Sequence, residues 1–152
     1  MRDGIPVPLV RANQTFIILT AVLSFAFQFR PGALIGLAVL LLPLLFGPRG
    51  HLVFHLARPL VARWLPGAER EDAHVQRFNQ TLAALFFAIG AAGLYLLAPV
   101  SPLWGAVIGW GALLAVGTVA FIATRGFCLG CTIYYQLLQR GWIRRPGSHP
   151  AA

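Results

Sequence analysis

Four long apolar runs follow one another along this chain with almost no charge inside them, and they limit its fold more than any other feature. They span about Thr15 to Phe29 (TFIILTAVLSFAFQF), about Gly32 to Phe46, about Thr81 to Ala98 and about Leu103 to Thr124. A helix needs roughly 17–25 residues to cross a bilayer. Inside hydrocarbon every backbone N–H and C=O must find a partner within the protein, so runs of this kind are read as helices. The first two are short by that measure and must recruit flanking polar positions; the alternative is a re-entrant hairpin that never crosses. Composition agrees with a membrane protein: 58% of residues are hydrophobic and 11% charged, against about 25% charged in a soluble domain. No cleavable signal peptide is visible, because the first run begins near Thr15 without a small-residue cleavage site. The expected fold is an all-α membrane domain of four transmembrane helices over residues 1–145, with a disordered tail over 146–152.

All 12 basic residues are arginine, and the net charge is +8. A basic chain can be a nucleic-acid binder, but no nucleic-acid-binding motif is present and the arginines flank the apolar runs, so no nucleic-acid partner is expected. Arg2 and Arg11 lie at the N-terminus; Arg49, Arg58, Arg63, Arg70 and Arg77 in the central loop; Arg125, Arg140, Arg144 and Arg145 after the last run. The two short hairpin loops share only Arg30. The positive-inside rule then predicts both termini and the central loop in the cytoplasm.

The central loop, about Arg49 to Gln76, opens with HLVFHLARPLVARWL, which reads as an amphipathic stretch at the membrane interface. Pro59 is expected to bend or break a helix there. A second interfacial stretch, CTIYYQLLQRGWIRR, follows the last run, with Tyr134, Tyr135 and Trp142 suited to the headgroup region.

The two halves, about 11–50 and 77–126, resemble each other. Arg11-Ala12-Asn13-Gln14-Thr15 recurs as Arg77-Phe78-Asn79-Gln80-Thr81, Gly32 to Gly36 as Gly105 to Gly109, and Arg49-Gly50 as Arg125-Gly126, in the same order. Tandem hairpins of this kind share one orientation and are related by an axis along the membrane normal. Asn13 and Asn79, or the threonines two residues later, can cap helix starts. Alternatively Asn13, Gln14, Asn79 and Gln80 face one another across the axis and hydrogen-bond there, while Arg11 and Arg77 reach lipid phosphates. Glycines four apart allow close helix approach, and such faces also give a small bundle a surface for homo-oligomers.

Both cysteines lie in Gly126-Phe127-Cys128-Leu129-Gly130-Cys131, a single C-x-x-C at the end of the last run. Two thiols at this spacing can close a disulfide, share a soft metal, or pass electrons or sulfur. On the cytoplasmic side a permanent structural disulfide is not expected. The bland alternative is a pair of small, half-buried apolar side chains at a helix end. Cys128 is the preferred nucleophile, since the first cysteine of such a motif often has the lower pKa. His51 and His55 follow Arg49-Gly50 as the cysteines follow Arg125-Gly126, so two His and two Cys could complete a zinc shell; copper is the other candidate metal. Otherwise the histidines are polar handles among headgroups. Glu69, Glu71, Asp72 and His74 make a polar cluster that can pair with arginines or cap a helix. The spans hold no carboxylate, Lys or His, which weakens an ion-coupled transporter. No haem, flavin or nucleotide motif is present.

Three of these pieces together, Arg11 to Gln14, Glu71-Asp72 with Arg77 to Gln80, and Gly126 to Cys131, are similar to the bacterial integral membrane family catalogued as domain of unknown function 4395. The resemblance covers roughly residues 5 to 142 and implies a multi-pass protein of the bacterial inner membrane without an assigned activity. It also implies an association with rhodanese-like or thioredoxin-like proteins, hence sulfur or disulfide chemistry. His51 and His55 are not part of the family's pattern. The leading expectation is thiol–disulfide or persulfide transfer at Cys128 and Cys131 with a cytoplasmic partner. The alternatives are a small transporter or soft-metal-handling protein, and a scaffold whose cysteines are incidental.

Overall fold

The computed structural model describes residues 4–127 and 129–142. Four long helices dominate it. Helix α1 (Val7–Ala26) and helix α2 (Pro31–Phe46) form the first hairpin, with a 3-10 turn (Gly47–Gly50) extending α2. A short helix α3 (Leu52–Val61) follows. Helix α4 (Ala73–Ala92), prolonged by a π-helical turn (Gly93–Leu97), and helix α5 (Pro102–Thr124) form the second hairpin, and α6 (Leu129–Gln139) closes the described chain. Four segments, Val7–Ala26, Pro31–Gly50, Ala73–Leu97 and Pro102–Thr124, are long and apolar enough to cross a membrane. The shortest have 20 residues, which at about 1.5 Å per residue reaches the roughly 30 Å of a hydrocarbon core. The first two runs therefore have full crossing length.

Those runs looked short because polar residues open the helices. Helix α1 starts eight residues before Thr15, so Asn13 lies two turns inside it, and Asn79 lies equally deep in α4. Neither asparagine is a cap. Thr15 and Thr81 instead donate from Oγ1 to the carbonyls of Arg11 and Arg77, 2.9 Å each, the i−4 bond of a helix interior. The cap of α4 is Asp72, whose Oδ1 accepts from the N–H of His74 at 2.8 Å. Pro59 does not break α3: it falls in the last turn, and the helix passes into a 3-10 turn (Ala62–Trp64) just beyond it.

A small ladder is absent from the hydrophobic pattern. Strand β1 (Gly4–Pro6) pairs antiparallel with strand β2 (Arg70–Asp72), Ile5 opposite Glu71. Each strand runs directly into a long helix, α1 or α4. The backbone N–H of Val7 extends the ladder to the Glu69 carbonyl, 2.9 Å. The starts of α1 and α4 are thereby tied side by side, and the two hairpins stand parallel. The N-terminus, the 47–72 connection and the segment after α5 all gather at one end.

Around the bundle the order is α1, α2, α4, α5: α1 packs on α2 and α5, and α4 on α2 and α5. The short helices match this pattern, α3 lying on α1 and α6 on α4. Phe87, Leu40 and Leu113 fill the centre, fully buried. Glycines let the backbones close on them. A Cβ at Gly36 would run into the Phe87 ring, and one at Gly105 into Ala98. Both glycines of the 105/109 pair face the end of α4 within the chain.

Candidate functional site

Helix α6 folds back on α4, and that contact builds the surroundings of Cys131. The cysteine stands in the first turn of α6 and is half-buried. Asn79 of α4 directs Nδ2 toward Cys131 Sγ at 3.9 Å, a long, weak donor contact to sulfur. Gly130, just before the cysteine, is itself buried, and a Cβ there would collide with Asn79 Oδ1. The bare backbone at this position is what lets the amide reach the sulfur. Tyr134, one turn on, is buried with its ring tilted against Phe78 of α4, centroids 5.6 Å apart. It is a packing residue rather than the headgroup anchor expected from the sequence; Tyr135 and Trp142 are the exposed aromatics here.

Cys131 is disulfide-bonded in this structure, contrary to the expectation of free thiols, and its sulfur does not titrate in that state. The Arg125 guanidinium lies over the Phe121 ring, 5.2 Å from the centroid. Cys128, the preferred nucleophile, and the expected disordered tail over 146–152 lie outside the described residues.

The amide motifs divide their work. Asn13 Nδ2 donates to Gln80 Oε1 at 3.0 Å, and Gln80 Nε2 donates to the Leu40 carbonyl at 3.3 Å. This fixes the amide orientations: the carbonyl of Leu40 requires a donor, so Gln80 must present its oxygen to Asn13. Asn13 Oδ1 is left buried without a partner. Gln14 is half-buried and takes no part in these bonds, and Asn79 faces Cys131 instead of Asn13. Sequence reasoning grouped the four amides as one cluster; helical spacing separates them, because adjacent residues in a helix point about 100° apart.

His51 and His55 are engaged locally. The His51 ring stacks on Phe54, with centroids 3.3 Å apart and planes 5° from parallel. Burial, and secondarily the neighbouring His55, push its pKa down to about 4, so the ring is neutral at neutral pH. His55 Nε2 bonds the Arg49 carbonyl at 3.1 Å. Among the described residues no group of three or more His, Cys, Asp or Glu side chains converges as a metal site. In the acidic stretch Glu71 has its pKa raised by burial, an effect opposed by the nearby Arg11.

Between the basic loop and the ends of the spans lies a feature the sequence did not disclose, a cavity of about 740 Å³. Its lining includes Leu9 and Leu44 from the ends of α1 and α2, Phe54 of α3, and the arginines 58, 70 and 77. No curated protein and no solved structure matches the chain. A family model described as Domain of unknown function (DUF4395) matches residues 5–139, and the chain belongs to that family.

Proposed function

We propose that Cys128 and Cys131 form a thiol pair at the membrane surface that exchanges electrons or sulfane sulfur with a cytoplasmic partner carrying a thioredoxin-like or rhodanese-like fold. The single observation that carries this reading is the contact of Asn79 with Cys131. A polar donor from the membrane domain is brought to a cysteine sulfur through a glycine that leaves room for it. In the redox form, a thiolate of the pair attacks a partner disulfide, and the mixed disulfide is resolved by the second cysteine. The pair loses two electrons and two protons, and the partner leaves as a dithiol. In the sulfur form, one thiolate attacks the outer sulfur of a partner persulfide. The partner's S–S bond breaks, a new one forms on the cysteine, and the partner leaves as a thiolate.

The reading takes both termini and the 47–72 connection to be cytoplasmic in a bacterial inner membrane, on the strength of the arginine distribution. Helix α3 fits an interfacial position: Leu52, Leu56 and Leu60 form an exposed stripe, with Arg58 and Arg63 nearby.

Alkylation trapping in living cells followed by intact mass measurement tests the reading. The expected result is a disulfide or one added sulfur on the pair, lost in Cys128→Ser/Cys131→Ser. Two unmodified thiols both in growing cells and after an oxidant or sulfane-sulfur challenge would reject it.

A further inference from the structure

The 740 Å³ cavity lies at the loop end of the bundle and has two kinds of wall. One is apolar and belongs to the ends of the spanning segments: Leu9 of α1, with Pro43 and Leu44 of α2. The other is basic and belongs to the connection and the start of α4: Arg58, Arg70 and Arg77, with no Asp or Glu among the described lining residues. The arginines keep their charge available. Arg70 and Arg77 each make one long bond, 3.4 Å, to the carbonyls of Gly4 and Leu44. A guanidinium has five N–H donors, and a carbonyl neutralises none of its charge. Among the acids of this region, Asp72 caps α4 and Glu71 interacts with Arg11.

The floor carries an independent sign of a ligand. Gln76 is 4% exposed, lines the cavity and makes no side-chain hydrogen bond to the described residues. Its amide nitrogen and oxygen are not among the fully enclosed atoms left without a partner, so they open onto the cavity and are available to a ligand there. His51, also buried, lines the same floor and offers a ring N–H. Arginine forks, polar donors and apolar side chains from the ends of the spanning segments together line one composite site. Each part matches a portion of one molecule.

We propose that this cavity binds the phosphate headgroup of an anionic lipid, with Arg58, Arg70 and Arg77 as the charged partners and Gln76 as a hydrogen-bond donor. Arginine forks suit phosphate oxygens geometrically, and basic pockets at the ends of spanning helices take such headgroups. The apolar wall favours a lipid over a free phosphate, because it gives the first acyl carbons a surface. This site is separate from the cysteines and does not depend on their chemistry.

Native mass spectrometry of the full chain in neutral detergent tests the proposal. The probes are phosphatidylglycerol, phosphatidylcholine of the same chains, and inorganic phosphate. The expected result is selective retention of phosphatidylglycerol, weakened about fivefold by Arg58→Gln, as for one arginine near an anionic surface. The loss should be larger in Arg58→Gln/Arg70→Gln and absent in Arg30→Gln at the opposite end. Arg58 is exposed and makes no hydrogen bond to the described residues, so its replacement should leave folding intact. Gln76→Leu, which keeps every charge, should weaken retention as well. Displacement of the lipid by millimolar phosphate would support the phosphate site but assign it to a soluble phosphate-bearing ligand. Equal retention of both lipids, or retention unchanged in the arginine variants, would overturn the proposal.

Discussion

At the residue scale, small side chains decide where the helices close. Gly36 illustrates how packing outweighs helix propensity. Alanine is the better helix former by about 1 kcal/mol, so replacing a mid-helix glycine should stabilise wherever space permits. At Gly36 there is none, since a Cβ would enter the ring of Phe87, a wholly buried residue at the centre of the core. At Gly111 of α5 nothing lies within 4 Å of the added carbon. Gly36→Ala is therefore expected to lower stability by about 1–3 kcal/mol through overpacking, and Gly111→Ala to raise it by up to about 1 kcal/mol. Reversible unfolding in mixed micelles compares the two. A stabilised Gly36→Ala would mean that the α2–α4 interface is looser than its geometry. The sequence showed the paired glycines as packing residues, but not which partner each one takes. That choice follows from the order of helices around the bundle, which no local spacing encodes.

At the element scale, the four spans were legible because hydrocarbon admits so few structures, yet their starts were not. Asn13, Gln14, Asn79 and Gln80 looked like boundary residues because amides are costly at membrane depth. Inside α1 and α4, one bond across the diagonal of the bundle, Asn13 to Gln80, and one from Gln80 to the Leu40 carbonyl offset part of that cost. The β1–β2 ladder escaped notice for a related reason: three-residue strands carry no periodicity, and the pairing partners are far apart in sequence. At the candidate site, the sequence singled out the C-x-x-C but had no means of linking it to Asn79, since that contact depends on α6 folding back on α4. The diagonal bond offers a test of helix association. Removing Asn13 alone orphans Gln80 Oε1, and removing Gln80 alone orphans Asn13 Nδ2 and takes a second donor from the Leu40 carbonyl. Asn13→Leu and Gln80→Leu should each destabilise by about 1–3 kcal/mol. The double variant should cost less than their sum, with a coupling of about 0.6–1.7 kcal/mol as found for bonds between membrane helices. A strictly additive double-mutant cycle would show that α1 and α4 gain nothing from the bond.

At the scale of the whole molecule, a single polarity links the features described above. The β ladder sets α1 and α4 parallel, so the N-terminus, α3, the basic cavity and α6 with Cys131 share one end of the bundle, while the tips around Gln28 and Pro99 share the other. Arginines crowd the first end, and Arg30 alone marks the second. Moving arginines across a membrane is unfavourable, and short arginine-rich connections stay in the cytoplasm during insertion. A topology reporter fused at Pro99, or one inserted after Gln28, should therefore signal an extracytoplasmic location, and one after Gly141 a cytoplasmic location. The outcome bears directly on chemistry. With the basic end inside, the cysteines face a reducing compartment where a disulfide persists only as a turnover intermediate, and the cavity faces the leaflet in which anionic headgroups attract arginine. The inverted result would place Cys128 and Cys131 where oxidation is the resting condition. A structural disulfide would then replace thiol exchange as the better account of the pair, whereas the lipid site, which depends on local charge alone, would survive the inversion.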